Sequence, residues 1–298
     1  MAKKSVRRSL LYLPGSSMKM LQKAVTLHPD AVILDLEDAV SIGEKDLARR
    51  QVVEMLPQIR ADGKEVLVRI NGMDTPWGME DLRAVVPCRP DGIVLPKASH
   101  AYILTADCLL TVLEKQNGLE PNTISMIPLF ETTDAIVHGA ELLGLCRRID
   151  GVQFGAEDLT KEMEIPRTLG GEEIRYAREQ LIFAARANGV DSLDTPFTDV
   201  KNLEALERDV TQAKAMGFTG KTCIHPSHIE TIHRAFTPTE DEVRRAQGIV
   251  AAMEAAVAEG KGACMYENKM VDAPVAERAR KIVEKAARIQ AAAASREA

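Results

Sequence analysis

The chain has 298 residues, of which 45% are hydrophobic and 28% are charged, an ordinary composition for a globular protein. Because its net charge is −6, we expect no general affinity for nucleic acid or for an anionic membrane surface. We expect no signal peptide, and no apolar run is near the roughly 18 residues of a membrane-spanning helix. Its five cysteines are scattered and never form a Cys-x-x-Cys pair. We therefore expect a cytoplasmic protein with reduced thiols and no membrane partner.

Short apolar runs typical of β-strands recur at intervals of roughly 30 residues, the length of one strand–helix unit. In chain order they are Ser9–Pro14, Ala31–Leu36, Glu65–Ile70, Gly92–Lys97, Ser125–Glu131, Gly151–Gly155, Ser192–Thr195 and Thr222–His225. Helical patterns separate them, including Glu44–Ala61, Tyr102–Gln116, Thr133–Leu145, Glu172–Ala187 and Val200–Met216. Several of the strands are continuously apolar, as in strands buried on both faces. Eight such repeats predict an α/β fold, a (β/α)₈ TIM barrel, with a doubly wound open sheet as the main alternative.

After the eighth strand the pattern changes, so we predict a catalytic barrel domain of residues 1–236 and a C-terminal extension of residues 237–298. Thr239 is expected to cap a long alanine-rich helix that runs to about Glu259. A β-hairpin is then expected around Asn268, and a final helix should begin near Asp272. The extension is too small to stand alone, so we expect it to dock on the barrel or on a neighbouring subunit.

Carboxylates follow several of the predicted strands at their carboxyl ends, where barrels of this kind carry their catalytic groups. Glu131 ends strand five and Asp158 follows strand six, so both should face one pocket. Oxygen ligands without cysteine or histidine suit a hard cation, and we predict that these two carboxylates bind Mg²⁺. Glu37 and Asp38 follow strand two and would hold metal-bound water. The alternative is that Asp158 and Glu37 only cap the helices that follow them.

Two basic side chains should enter the same pocket. Arg69 ends strand three and needs an anionic partner, which is either a substrate carboxylate or enolate oxygen or a barrel carboxylate in a structural ion pair. Lys97 ends strand four and could form a Schiff base, but without a partner that lowers its pKa we prefer an ion pair. The histidines after strand eight, His225 and His228, indicate an ordinary loop rather than a metal site.

Seven stretches of the chain match, in order, those of one known family. They are Arg8–Gly15, Leu34–Val40, Val68–Asn71, Leu95–Lys97, Gly155–Leu159, Ile224–Pro226 and Lys269–Pro274. On these residues the chain resembles the citrate lyase β-subunit and malyl-CoA lyase family of the HpcH/HpaI aldolase superfamily. The resemblance implies a TIM barrel with a C-terminal extension, assembled as a homotrimer or a hexamer.

The resemblance also implies an activity, that of a carbon–carbon lyase. Such an enzyme uses Mg²⁺, or equally Mn²⁺, to split or form a 3-hydroxyacyl-CoA thioester such as malyl-CoA, citramalyl-CoA or citryl-CoA. The products are acetyl-CoA or another acyl-CoA and a 2-oxo acid. The alternative is the β-subunit of citrate lyase, which cleaves citryl-acyl-carrier-protein to oxaloacetate and acetyl-carrier protein beside a transferase subunit. A related branch of aldolases has a histidine base after strand two, where this chain has Glu37 and Asp38, and this difference favours the thioester branch.

Carried over by position, the resemblance gives roles to residues of this chain. Glu131 and Asp158 become the metal ligands, and Arg69 becomes the catalytic group that stabilises the enolate. Asp272 becomes the proton-transfer residue, reaching a neighbouring subunit's site, although Asp272-Ala273-Pro274 also predicts a helix N-cap.

The remaining roles concern binding. The main-chain N–H groups of the turn that contains Gly155, Ala156 and Glu157 would hold the substrate carboxylate. Arg8 would contact the phosphates of coenzyme A, with Lys3 or Arg7 nearby. A barrel that only binds metabolites has no need of Arg69, Glu131, Asp158 and Asp272 together, so this set favours an enzyme.

Overall fold

The computed structural model describes residues 6–61 and 63–297, with side chains up to residue 294. Eight parallel strands follow one another around a closed barrel, which confirms the predicted fold and excludes the open sheet. The strands are β1 (Ser9–Pro14), β2 (Ala31–Asp35), β3 (Glu65–Arg69), β4 (Gly92–Leu95), β5 (Ser125–Phe130), β6 (Gly151–Phe154), β7 (Asp191–Asp194) and β8 (Gly220–Cys223). β1 pairs with both β2 and β8, and this double pairing closes the barrel.

Helices connect the strands, and one more follows the last strand of the barrel. They are α1 (Met18–Ala24), α2 (Lys45–Arg60), α3 (Gly78–Val85), α4 (His100–Gln116), α5 (Thr133–Val137), α6 (Gly139–Leu143), α7 (Ala156–Glu162), α8 (Arg175–Asn188), α9 (Leu203–Met216) and α10 (His228–Phe236). Short 3₁₀ turns occupy Ile42–Glu44, Val86–Cys88 and Glu172–Ile174. Within the described residues no helix is long and apolar enough to cross a membrane.

Alternate residues of the strands fill the barrel interior, because every second side chain of a strand points to the same face. The buried cluster comprises Leu10, Ala31, Ile33, Leu67, Val94, Ile127, Leu129 and Leu193, with Tyr12 packed against it. Asp35, Arg69 and Glu131 continue this inward series at the carboxyl ends of β2, β3 and β5. The candidate catalytic residues therefore lie directly above the apolar core of the barrel.

The amino end of the barrel is closed by ion pairs around Arg7, which is buried. Its guanidinium lies 2.6 Å from Glu65 and 2.8 Å from Asp150, with Asp191 at 3.7 Å. These carboxylates stand at or just before the first residues of β3, β6 and β7. Because they come from three separate strands, Arg7 ties together the lower rim of the barrel.

The residues from Ala235 onward group as a second compact unit, separate from Arg7–Arg234. It contains α11 (Glu240–Ala258), the antiparallel pair β9 (Cys264–Tyr266) and β10 (Lys269–Val271), and α12 (Ala273–Glu297). Thr239 caps α11 as expected, in a capping box in which Thr239 and Glu242 each accept the other's main-chain N–H. Met253, Val271 and Ala276 form the buried core of this unit.

Candidate active site

Glu131 directly follows β5 and is 3% exposed. Its Oε1 accepts a hydrogen bond of 2.7 Å from the main-chain N–H of Lys97, which lies two residues beyond Leu95, the last residue of β4. On its other side lies Gly155, where a Cβ atom would stand only 2.5 Å from Cβ of Glu131. The glycine thus gives the carboxylate room to pack against β6, and two neighbouring strands fix its position.

Lys97 adopts a left-handed backbone conformation with φ of 47°. This region is unfavourable for a residue with a Cβ, and such strain tends to occur where the surrounding structure requires a particular geometry. Here the backbone turn aims the Lys97 N–H at Glu131. The Lys97 side chain itself is exposed.

Arg69, the last residue of β3, is held by carboxylates from the end of β2. Its Nε and Nη2 donate to the two oxygens of Asp35 at 2.7 and 2.6 Å, a bidentate pair. Its Nη1 lies 2.9 Å from Oε2 of Glu37 and 3.5 Å from Asp38. The contact with Glu37 lacks hydrogen-bond geometry, which leaves Oε2 buried without a hydrogen-bond partner. The structural ion pair considered as an alternative for Arg69 is therefore present.

Tyr12 and Gln153 lie beneath Arg69. The guanidinium carbon stands 4.9 Å from the centre of the Tyr12 ring, a cation–π contact. The Gln153 amide donates to the Tyr12 hydroxyl at 2.7 Å. Burial raises the pKa of Tyr12 well above its ordinary value, although Arg69 opposes the shift, so the phenol is neutral. The floor of the pocket is thus an uncharged, hydrogen-bonded pair.

The charged forms of Glu131 and Glu37 are disfavoured at the rim. Burial, with the charges of Glu37 and Asp158, raises the pKa of Glu131 to about 8, although the Lys97 N–H opposes this. Burial, with the charges of Asp38 and Asp35, raises the pKa of Glu37 to about 7, although Arg69 opposes this. A divalent cation relieves such a cluster, and carboxylate oxygens are the ligands of Mg²⁺, so the donor set fits that metal.

The pKa of Lys97 is raised, because the charges of Glu37, Asp158, Glu131 and Asp38 outweigh the opposing effect of partial burial. A lysine that forms a Schiff base needs a lowered pKa to act as a nucleophile. This ammonium stays protonated, which argues against Schiff-base chemistry and places a positive charge among the four carboxylates.

Asp158 lies in the first turn of α7, half-buried, and Glu157 beside it is exposed. The N–H groups of Gly155 and Ala156 already have partners, the Phe130 carbonyl at 2.9 Å and the Thr195 hydroxyl at 3.3 Å. The assignment of this turn to a substrate carboxylate therefore stays a prediction. In the described part of the chain no three His, Cys, Asp or Glu side chains group as metal ligands, and the pair Glu131 and Asp158 leaves most coordination positions to water or substrate.

Arg8 and Asp272 each make structural contacts of their own. Arg8 lies at the amino end of β1, where its Nε and Nη2 each donate to Asp30 at 2.8 Å. A role for Arg8 with coenzyme A thus stays a prediction, and Lys3 lies outside the described residues. Asp272 belongs to the second unit, where its Oδ1 accepts the Val275 N–H at 3.1 Å and so caps α12, as its sequence predicted.

Sequence reasoning gave no role to Asp35, Tyr12 or Gln153. Each is a polar residue on the inward face of a strand whose other inward residues are apolar. A polar residue among apolar inward positions was the available signal for a role in the site. In β2 the residues before Asp35 are all apolar, so no alternation was visible there.

The chain was compared with known proteins. The family described as HpcH/HpaI aldolase/citrate lyase matches residues 8–226, and the carbon–carbon bond lyase family of the TIM-barrel fold matches residues 175–289. The chain is 36% identical over 279 residues to the citrate lyase subunit beta of Leuconostoc mesenteroides subsp. cremoris, covering 93% of this chain and 92% of that protein. It is also 36% identical over 274 residues to a (3S)-malyl-CoA thioesterase of Cereibacter sphaeroides, covering 89% of each.

A solved structure agrees in fold. CitE of Mycobacterium tuberculosis, crystallised in complex with magnesium, acetoacetate and coenzyme A, superposes with a TM-score of 0.77. The two sequences are 28% identical, and the match covers 95% of this chain and 99% of CitE. With a family match over 8–226 and relatives that align along nearly the full length, the chain belongs to the HpcH/HpaI aldolase/citrate lyase family of carbon–carbon lyases.

Proposed function

We propose that the chain is a Mg²⁺-dependent lyase that cleaves, or in reverse forms, a 3-hydroxyacyl-CoA thioester such as malyl-CoA, citramalyl-CoA or citryl-CoA. The products are acetyl-CoA, or another acyl-CoA, and a 2-oxo acid. The observation that carries the proposal is Glu131, a buried carboxyl aimed by the Lys97 N–H into a rim of carboxylates that disfavour its charge. The magnesium and coenzyme A in the CitE complex support the choice of metal and thioester.

Glu131 and Asp158 would hold the metal, and Glu37 and Asp38 would hold its water molecules. When bound, Mg²⁺, or Mn²⁺ in its place, supplies a Lewis acid for the oxygen atoms of the 2-oxo acid half. Gly155 keeps the space that Glu131 needs, and Lys97 contributes a positive charge at the rim.

Arg69 would stabilise the thioester enolate that cleavage leaves behind. Its bonds to Asp35 use two of the five N–H groups of a guanidinium, so donors remain for a substrate oxygen. Because Asp35 and Tyr12 hold the arginine from two sides, it needs little reorganisation when charge develops.

Asp272 would then protonate the enolate carbon, with the proton that the 3-hydroxyl group releases as the C2–C3 bond breaks. We propose that it acts in the site of a neighbouring subunit within a homotrimer or hexamer. Its carboxylate caps α12 through a single oxygen, Oδ1, and capping is compatible with a proton-transfer role for Oδ2. The support for this role is the resemblance of Lys269–Pro274 to the corresponding family stretch.

The test is product formation from malyl-, citramalyl- and citryl-CoA, with Mg²⁺ and with EDTA. We expect at least one thioester to give equal amounts of acetyl-CoA and a 2-oxo acid, with turnover lost in EDTA. Glu131→Gln should lower turnover by more than about 100-fold, since it removes a metal ligand. Glu207→Gln, at an exposed position on α9, is the control and should keep wild-type turnover. Free CoA without a 2-oxo acid would mean thioester hydrolysis and would contradict carbon–carbon cleavage.

The second candidate is the β-subunit of citrate lyase, which acts on citryl-acyl-carrier-protein. The similarity to the Leuconostoc citrate lyase subunit beta along 93% of this chain favours it. Both candidates use one barrel and one pocket, so the carrier of the acyl group distinguishes them. If no CoA thioester is cleaved but oxaloacetate is released from citryl-carrier protein, this candidate is selected. A transferase subunit should then co-purify with the chain.

A further inference from the structure

Lys45 occupies an electrostatically unfavourable position. It is the first residue of α2 and is only 7% exposed. The amino end of a helix carries a partial positive charge, so a cation there is repelled, and its burial adds a desolvation cost. Burial indeed lowers the pKa of Lys45, against the charges of Asp35, Glu37 and Asp81. A lysine in this place requires interactions that offset both costs.

The Lys45 ammonium makes two short hydrogen bonds to main-chain oxygens. Nζ donates to the carbonyl of Leu36 at 2.8 Å and to the carbonyl of Glu37 at 2.7 Å. It also lies 5.8 Å from the centre of the Trp77 ring. Two of its three N–H donors are therefore spent on consecutive peptide groups, and the aromatic ring faces the same charge.

Those two carbonyls belong to Leu36–Ala39, which we call the β2 turn. Its N–H groups at Glu37 and Ala39 bond to the Asp35 carboxylate at 2.9 and 3.2 Å. The Asn71 amide donates to the Leu36 carbonyl at 2.9 Å. Asp35 thus binds two N–H groups of the β2 turn, and Lys45 with Asn71 binds two of its carbonyl groups.

The β2 turn carries Glu37 and Asp38, and Glu37 stands 2.9 Å from Arg69. We propose that Lys45 is a positioning residue, which fixes the β2 turn so that Glu37 faces the metal site and Arg69 together. Lys45 does not reach the metal or substrate in this role. The inference rests on the proposed function and adds a residue that no motif of the sequence had marked.

The chain contains a matched control in Lys64. This lysine is 2% exposed, and its Nζ donates to the carbonyls of Ala24 and Val25 at 2.9 and 3.2 Å. It directly precedes β3, at the amino end of the barrel. Lys64→Met therefore removes a buried ammonium with two carbonyl partners, as Lys45→Met does, but at the end of the barrel opposite to Glu131.

The experiment titrates the full-length, metal-free protein with Mn²⁺ alone in a calorimeter and also measures melting temperature and turnover. We expect both methionine variants to melt at lower temperature than the wild type. Only Lys45→Met should weaken Mn²⁺ binding, by about tenfold, with a lower kcat, since outer partners of a metal site have effects of that size. Lys45→Gln, should the methionine variant not fold, is expected to show the same loss.

Wild-type Mn²⁺ affinity and kcat in the Lys45 variant, or an equal change in Lys64→Met, would overturn the inference and leave the proposed function standing. A wild-type protein that binds no Mn²⁺ and cleaves no thioester would instead refute the proposed function, and the positioning role with it. The two failures are thus distinguished by the wild-type titration.

Discussion

Glu131 owes its chemistry to its neighbours. The Lys97 N–H orients one oxygen, and Gly155 gives the side chain room. Burial and the adjacent carboxylates nevertheless disfavour the anion, with a pKa of about 8. At pH 7 such a group is largely protonated, whereas a metal ligand must be ionised. If Glu131 binds the metal as proposed, metal binding and proton release are coupled at this residue.

The raised pKa of Glu131 predicts how the stability of the metal-free protein depends on pH. The folded, metal-free protein keeps a proton on Glu131 between its ordinary pKa of 4.5 and about 8, and the unfolded chain releases it. The stability that this contributes is complete below pH 4.5 and is lost as pH rises through 8. In EDTA we expect the melting temperature to fall by several degrees between pH 6 and 8.5. Saturating Mg²⁺ should reduce the fall, and Glu131→Gln should flatten it.

The matching calorimetric measurement uses buffers of different ionisation enthalpy at pH 7. Mg²⁺ binding to the wild-type protein should release protons, and Glu131→Gln should release fewer. Equal pH slopes in the two proteins, together with equal proton release, would contradict the role given to this carboxyl.

At the scale of elements, periodicity in the sequence located all eight strands, with the largest error in β8. We expected Thr222–His225, and the strand is Gly220–Cys223. The reason is Lys221, a buried cation that bonds to Asp194 at 2.6 Å and lies 2.7 Å from Asp209. From sequence alone, a lysine in a strand is expected to have an exposed side chain, because the partners that could neutralise it when buried are not known. These come from β7 and α9, contacts that local sequence does not contain.

The predicted helix Thr133–Leu145 is instead two short helices, α5 and α6, divided at His138. A Cβ atom at Gly139 would stand 2.8 Å from the Phe130 ring, so this backbone passes very close to the end of β5. Candidate catalytic groups were easier to predict, since barrels place them after strands. Among their supports, Asp35 was visible only as a polar residue at the end of an apolar strand, and Lys45 depends on tertiary contacts that spacing does not reveal.

The capping box of α11 makes a prediction at this scale. Thr239→Ala removes the bond to the Glu242 N–H and should cost about 1 kcal/mol of helix stability. Hydrogen exchange followed by mass spectrometry should become faster in α11 and its neighbour α12. Asn202→Ala, which removes the cap of α9, should accelerate exchange in α9 instead. Identical exchange patterns in the two variants would contradict a local role for the caps.

On the scale of the whole molecule, the residues proposed for one reaction are divided between two compact units. Arg69, Glu131 and Asp158 belong to the barrel, and Asp272 belongs to the unit that begins at Ala235. If the second unit serves a neighbouring subunit, one complete site needs residues from two chains. Activity would then depend on assembly, not only on the fold of each chain.

Mixing inactive chains tests this division. Glu131→Ala and Asp272→Asn proteins should each be inactive alone, because each lacks one of the two groups. When the chains are unfolded together and reassembled in equal amounts, about a quarter of the sites in a cyclic oligomer should combine intact residues. Recovered turnover of that order would support a shared site. Mixed oligomers verified by mass spectrometry that stay inactive would refute it.

The labelling rate of the Cys223 thiol can report how often the closed barrel opens. Cys223 is the last residue of β8, fully buried, and burial raises the pKa of its thiol to about 12. A thiol reagent requires both access and thiolate, so it reacts with this sulfur only after the sheet has opened. With the exposed Cys108 as an internal standard, the slow labelling of Cys223 reports how long one barrel persists between openings. Bound metal or thioester should lengthen that lifetime, so the native chain can report ligand binding without a substrate assay or an added probe.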